Sequence, residues 1–258
     1  YLRENINVLR AVAKSPYVVG SDFIGEEIND ISDLQPAIKE IVRYINEEDK
    51  DFTIRIHAGE NDSLRNNVRK SIMCVKESLE KEQEMPRCRI GHGLYSEDLN
   101  TESGKELLKL MKDTGVVIEF QLTSNVRLNN LSDLKNHPIK IFLKNGIKCV
   151  QGTDGGGMYG SDTFDEQLAL QNLLELSDDE FAKMREVEDE ITTKNNIYFM
   201  QKSEKFDKFL SGRTIKEAIL EEEDKYMKET ENQDELRINT KLDSEKELAT
   251  KIKNLPID

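Results

Sequence analysis

The chain has 258 residues, enough for one large domain or two small ones, and 51 Asp and Glu against 37 Lys and Arg give it a net charge of −14. No long basic run is present to displace counterions from phosphates, so duplex nucleic acid is excluded as an expected partner and the acidity reads as solvated surface. The sequence shows no apolar stretch of about 18 residues and no signal peptide, and its three cysteines, Cys74, Cys88 and Cys149, form no close pair. These features predict a cytoplasmic chain with reduced thiols and no membrane contact.

Leu2, Ile6, Leu9 and Val12 recur at helical spacing and lead into a strand, so the chain, opening at Tyr1, reads as entering a domain in its middle. Apolar runs predict strands over residues 17–23, 52–57, 88–92, 116–120 and 148–152. Between them, Leu64, Val68, Ile72, Val75 and Leu79 predict one amphipathic helix. Leu107, Leu108 and Met111 predict the next, which Gly115 is placed to close in the left-handed conformation. Pro138 suits the first turn of a helix over 139–145, with Gly146 just past its end.

After Gly160 the pattern changes. Ser177-Asp178-Asp179-Glu180 is a capping box opening a helix through Phe181, Met184 and Val187. A further helix is expected over 211–228, then a charge-dense segment to Asp258 with a poorly ordered end. The expected organisation is an α/β region over 1–176 and a charge-rich helical appendage over 177–258. Its acidic helices could pack subunits into a homo-oligomer, although a solvated face is the commoner use of such charge.

Strand, loop and helix repeating in this way predict a parallel sheet, either open and doubly wound or closed into a barrel. Periodicity does not choose between them, but four strands run straight into polar or glycine turns. These are Ser21 to Glu27, His57-Ala58-Gly59-Glu60, Gly91-His92-Gly93 and Gly152-Thr153-Asp154-Gly155. Polar groups converging at the C-terminal ends of strands favour a β/α barrel.

The chain has three histidines, and two of them, His57 and His92, end apolar strands beside glycine, where a side chain faces an open mouth. A barrel histidine is more often a structural hydrogen-bonding residue than a ligand. A hydrolytic metal site, however, needs imidazole or carboxylate ligands, an open position for water and a neighbouring acid or base. His57 and Asp154 are ligands of the right kind, Glu60 is close enough to reach the same cavity, and His92 is a candidate to orient or deprotonate the water. His137, opening a helix before Pro138, is assigned to structure.

The ordered set His57-Ala-Gly-Glu60, Arg89-Ile-Gly-His-Gly93, Thr123-Ser-Asn125, His137-Pro138 and Gly152-Thr-Asp154 resembles adenosine deaminases and their AMP deaminase relatives. Val19 to Glu27 is similar to the preceding strand and its glycine turn, so the resemblance covers about residues 17–176. It implies a (β/α)8 barrel of which strands four to eight are present. It also implies a zinc ion (Zn2+) held by His57 and Asp154 and a purine nucleoside or nucleotide as substrate. By the same resemblance Glu60 is the acid that protonates the purine ring nitrogen, His92 positions the attacking water, Asp154 also touches that water, and the Gly25 amide donates to the purine.

Two departures shape the expectation. The first strand of the family supplies a His-x-His pair to zinc, and these residues contain no such pair, so the chain alone is expected to hold zinc poorly and to be inactive, with strands one to three supplied from elsewhere. Where the family has a second aspartate, the sequence reads Gly155-Gly156-Gly157, and Gln121-Leu122 stands where Cys-Pro is common. The glycines suit a tight or flexible turn. They also leave backbone amides accessible to phosphate, which would make the substrate a nucleotide, even a triphosphate, with Gly155 among its contacts. Divergent deaminases of bacterial antiviral defence offer one setting for such chemistry, and the residues do not place the chain among them. The competing expectations are hydrolysis of another ring or amide by the same metal-water chemistry, and a barrel without catalysis serving ligand binding or assembly. Retention of Glu60, His92 and Asp154 together favours the deaminase.

Overall fold

The computed structural model describes residues 2–128, 131 and 134–233. In chain order the elements begin with α1 (Leu2–Val12), β1 (Gly20–Phe23), α2 (Gln35–Glu47), β2 (Thr53–Ala58) and α3 (Asn67–Glu77). Next come β3 (Cys88–His92), α4 (Glu102–Thr114), β4 (Val117–Phe120), α5 (Leu122–Arg127), α6 (Ile139–Lys144) and β5 (Lys148–Gln151). The chain then continues through α7 (Gly156–Tyr159), α8 (Thr163–Leu173), α9 (Asp178–Leu210) and a last helix, α10, over 215–233.

Among the described residues, 16–202 form one compact unit, and 2–15 with 203–233 form another. The first part of α9, to residue 202, belongs to the same unit as the sheet. In the other unit the Arg10 guanidinium lies 3.9 Å over the Tyr226 ring, and the Asn7 amide donates to the Thr230 hydroxyl at 3.2 Å. The expectation for the tail falls on 234–258, outside the described residues.

All five strands are parallel and lie in the order β1-β2-β3-β4-β5. A doubly wound sheet reverses its strand order at a switch point. Here each strand pairs with the next in sequence and helices intervene, so the unit is an arc of a (β/α)8 barrel. The β2 residues Ile54, Ile56 and Ala58 are wholly buried on the face covered by α3, whose Val68, Ile72 and Val75 are equally buried. Each such side chain contributes roughly 1.5–3 kcal/mol by leaving water. The alternate residues of β2, Thr53, Arg55 and His57, are half-buried on the opposite face.

That opposite face carries charge. Arg55 Nη2 donates to Glu119 Oε1 at 2.8 Å, although β3 lies between their strands. The guanidinium crosses at Gly91, where a Cβ would stand 3.0 Å from Nη2. Glycine at this register position lets β2 and β4 share an ion pair. A second bond joins Arg55 to Asp22 on β1.

Several element ends follow the expected local chemistry. Gly115 closes α4 at φ +65°, and Thr101 caps its start by accepting from the Gly104 amide at 3.1 Å. Ser177 and Glu180 cap each other's amides before α9. The first strand is shorter than 17–23, because its ladder with β2 begins at the pair Gly20 and Thr53. The helix expected over 211–228 starts later, at 215, after Gly212 takes φ +83°. Cys74, Cys88 and Cys149 are buried free thiols, and among the described residues no helix is long and apolar enough to cross a membrane.

Candidate active site

Three expected site residues come together at the C-terminal ends of the strands. Ligand atoms of Glu60, His92 and Asp154 lie within 4.8 Å of one another. His92 ends β3 at φ +72°, and Asp154 lies just past β5 at φ +54°. Left-handed backbone is sterically disfavoured for residues with a Cβ and concentrates at functional sites. At His92 it breaks the strand's alternation and turns the imidazole toward the Glu60 carboxylate.

Two bonds from the segment after β4 hold His92. Its backbone N–H donates to Gln121 Oε1 at 3.0 Å, and its Nδ1 lies 3.0 Å from Asn125 Oδ1. Because an amide oxygen only accepts, Nδ1 carries the hydrogen and Nε2 keeps its lone pair. Nε2 is buried without a hydrogen-bond partner, 3.7 Å from Glu60 Oε1. Burial holds the imidazole below its usual pKa, against the opposing pull of the Glu60 carboxylate. The Gln121 side chain bridges two strands: its Nε2 donates to Glu119 Oε1 at 2.8 Å while its oxygen holds His92.

His57 lies beside this group, its ring centroid 5.3 Å from that of His92. Its Nδ1 is 3.0 Å from Asp22 Oδ1, and Arg55 Nη1 lies 3.2 and 3.1 Å from the two ring nitrogens. A carboxylate on one ring nitrogen is how metal-ligating histidines are commonly oriented, but here the Arg55 guanidinium lies against the other nitrogen, so His57 would have to release it to take an ion. Asp22 stays ionised more readily than an ordinary aspartate: burial pushes its pKa up, but His57 and Arg55 outweigh this and lower it.

The two expected substrate glycines differ in their surroundings. Gly25 sits in the turn after β1, where a Cβ would meet nothing within 4 Å. Gly155 precedes α7, and a Cβ there would stand 3.2 Å from the Tyr159 ring. Gly156 is required by packing, since its Cβ would strike the Ser161 carbonyl at 2.6 Å, whereas Gly157 has open space. The Tyr159 phenol is pushed up by burial and by the carboxylates of Asp154 and Glu60.

His137 is where its structural assignment put it. It is buried against Phe120, with ring centroids 4.9 Å apart, and its Nδ1 accepts the Ile139 amide at 3.3 Å. The residues that sequence reading did not find are the partners: Asp22 for His57, Asn125 and Gln121 for His92, and Glu27 and Tyr159 around Glu60.

The imidazole of His92 and the carboxylates of Glu60 and Asp154, with one buried nitrogen lacking any hydrogen bond, are a donor set that fits a divalent cation such as zinc, and His57, held by Asp22 and Arg55, stands beside that group rather than in it. The sequence model of a family described as Adenosine deaminase matches residues 2–191. An adenosine deaminase of Plasmodium gallinaceum is 34% identical over 166 residues, covering 64% of this chain and 40% of that protein. One of Plasmodium falciparum is 30% identical over 185 residues, covering 72% of this chain and 42% of that protein. One of Escherichia coli is 31% identical over 122 residues, covering 46% and 31%. The chain thus spans about two fifths of the length of the Plasmodium proteins. Among solved structures, an adenine deaminase of Arthrobacter aurescens is similar at a TM-score of 0.49 and 19% identity, over 72% of this chain and 52% of that one.

Proposed function

The chain belongs to the adenosine deaminase family, and from that premise we propose that it forms part of a zinc-dependent enzyme that hydrolyses the amino group from an adenine nucleoside or nucleotide. The observation that carries the proposal is the convergence of Glu60, His92 and Asp154 within 4.8 Å around a buried, unbonded His92 Nε2. In this reading His57 and Asp154 hold the ion, with the His57 tautomer fixed by Asp22. The histidine pair of the family's first strand is not among these residues and would come from another segment. A bound zinc ion supplies Lewis acidity that makes water a nucleophile near neutral pH.

The remaining roles belong to the chain's own side chains. His92 Nε2 takes a proton from the attacking water, because Asn125 fixes the hydrogen on Nδ1. Glu60 gives a proton to the purine ring nitrogen next to the carbon under attack. Oxygen adds to that carbon, the proton taken by His92 passes to the amino nitrogen, the carbon–nitrogen bond breaks and ammonia leaves, and the proton on the added oxygen returns to Glu60 as the carbonyl forms. The Gly25 amide would hold the purine. With Gly155 in place of an aspartate, recognition at that edge shifts to backbone amides, which favours a phosphorylated substrate over bare adenosine. An antiviral setting has no support in the geometry or in the similar proteins and forms no part of the proposal.

The test is zinc content and ammonia release from adenosine, AMP and ATP, measured on the protein that carries this segment. About one zinc per subunit is expected, with Glu60→Gln lowering turnover on the order of 10²–10⁴-fold, the usual range for a general acid. Full activity in Glu60→Gln would refute the assignment, and preference for bare adenosine would refute the phosphate contact.

A further inference from the structure

Glu27 stands in the turn after β1 beside another glutamate, Glu26, but only Glu27 is turned inward, at 7% exposure. Its carboxylate accepts three consecutive backbone amides from the turn after β2. Oε1 takes the Gly59 N–H, and Oε2 takes those of Glu60 at 2.7 Å and Asn61 at 3.2 Å. Successive N–H groups converge on one anion only where the backbone curls into a nest, and Gly59 supplies the curl at φ +76°. The other side of the turn is fixed by the loop after β3. The Gly59 carbonyl accepts from the Tyr95 amide at 2.8 Å, the Ala58 carbonyl accepts from the Gly93 amide at 2.9 Å, and a Cβ on Gly59 would strike the Tyr95 carbonyl at 2.5 Å.

We propose that Glu27 is a positioning residue for Glu60, acting through the backbone nest that it fills. This rests on the role assigned to Glu60 above. Hydrogen bonds from amides to an ionised carboxylate are among the stronger ones, so the nest sets where the Glu60 side chain begins. The Glu60 carboxylate is thereby held 3.7 Å from His92 Nε2. Without Glu27 the turn keeps its clamp on the Tyr95 side and loses its anchor on the other.

The experiment compares wild type, Glu27→Ala and Glu27→Gln in the protein that carries this segment, with two measurements. Hydrogen exchange of the Gly59, Glu60 and Asn61 amides should accelerate about tenfold or more in Glu27→Ala while distant amides keep their rates. Turnover of the deamination should fall about 100-fold with KM nearly unchanged, as for a displaced catalytic group. Glu27→Gln keeps one acceptor oxygen and turns a donor-only amide NH2 toward a backbone N–H, so it should be intermediate in both; it carries the test if the alanine variant does not fold. In a Glu60→Ala background the turnover loss from Glu27→Ala should vanish, because the effect runs through Glu60. Unchanged exchange of the three amides would overturn the proposal. So would a turnover loss that persists undiminished without Glu60. If Glu60→Ala alone leaves ammonia release intact, the proposed function fails at Glu60 and the positioning role fails with it, whatever the exchange rates show.

Discussion

His137 predicts a pH dependence of stability that can be isolated with one substitution. The imidazole is buried and burial lowers its pKa from 6.5 to about 4. Its Nδ1 accepts the Ile139 amide, a bond that protonation there would abolish. Between these two pH values the unfolded chain takes up a proton that the folded chain refuses. Stability from this group is therefore present above pH 6.5 and is lost as pH falls toward 4. At about 1.36 kcal/mol per unit, the full window amounts to roughly 3 kcal/mol. His137→Asn places an amide oxygen where Nδ1 stood and removes the titration. Urea unfolding of both proteins at intervals from pH 7.5 to 4 would give the comparison, with carboxylate titrations common to both curves. The variant should be less stable near neutrality because it leaves unfilled volume beside Phe120, and the two curves should converge by roughly 3 kcal/mol as pH falls. Parallel curves across the window would show that His137 is not held neutral.

Two further substitutions test the polar face of the sheet. Gly91→Ala sets a methyl 3.0 Å from Arg55 Nη2 and should push the guanidinium off Glu119. A loss of about 1–2 kcal/mol is expected in thermal or urea unfolding, because Glu119 gives up its closest cation and keeps Gln121 and Arg89, the latter at 3.5 Å. An unchanged midpoint would mean the ion pair is dispensable. Asp22→Asn should weaken zinc binding by about 10–100-fold in a chelator competition, as for other outer partners of metal-bound histidines. Equal affinity would separate Asp22 from the metal site.

The strands were legible because buried parallel strands are short apolar runs punctuated by glycine and polar turns, and each of the five predicted runs overlaps one, β2 running one residue further, to Ala58. The expected site residues Glu60, His92 and Asp154 were legible for the same reason: each lies where a strand empties into its loop. α2 was not singled out, although Ile38, Ile41, Val42 and Ile45 bury one face of it, because its N-cap, Leu34, offers no side-chain signal. α8 is harder to see, since Leu168 and Leu173 are exposed and its apolar residues form no single stripe. The partners of the site lay out of reach. Asp22 meets His57 only once β1 and β2 are in register, and Asn125 meets His92 only once α5 sits above β3. Nothing in the Glu26-Glu27 pair says which carboxylate turns in, because the amides it binds are 33 residues away or thereabouts along the chain.

The left-handed backbone at His92 and Asp154 bears on how this site can be varied, by design or by descent. Any residue placed there inherits a conformation that β-branched side chains resist and that asparagine, aspartate and glycine tolerate. A full set of substitutions at either position would therefore mix two losses, that of the reacting group and that of the bend aiming it. Asp154→Asn and His92→Asn keep the bend and change only the chemistry. The same restriction narrows the routes by which the site could drift, since an exchange such as His92→Val would disturb the end of β3 as well as the proton acceptor.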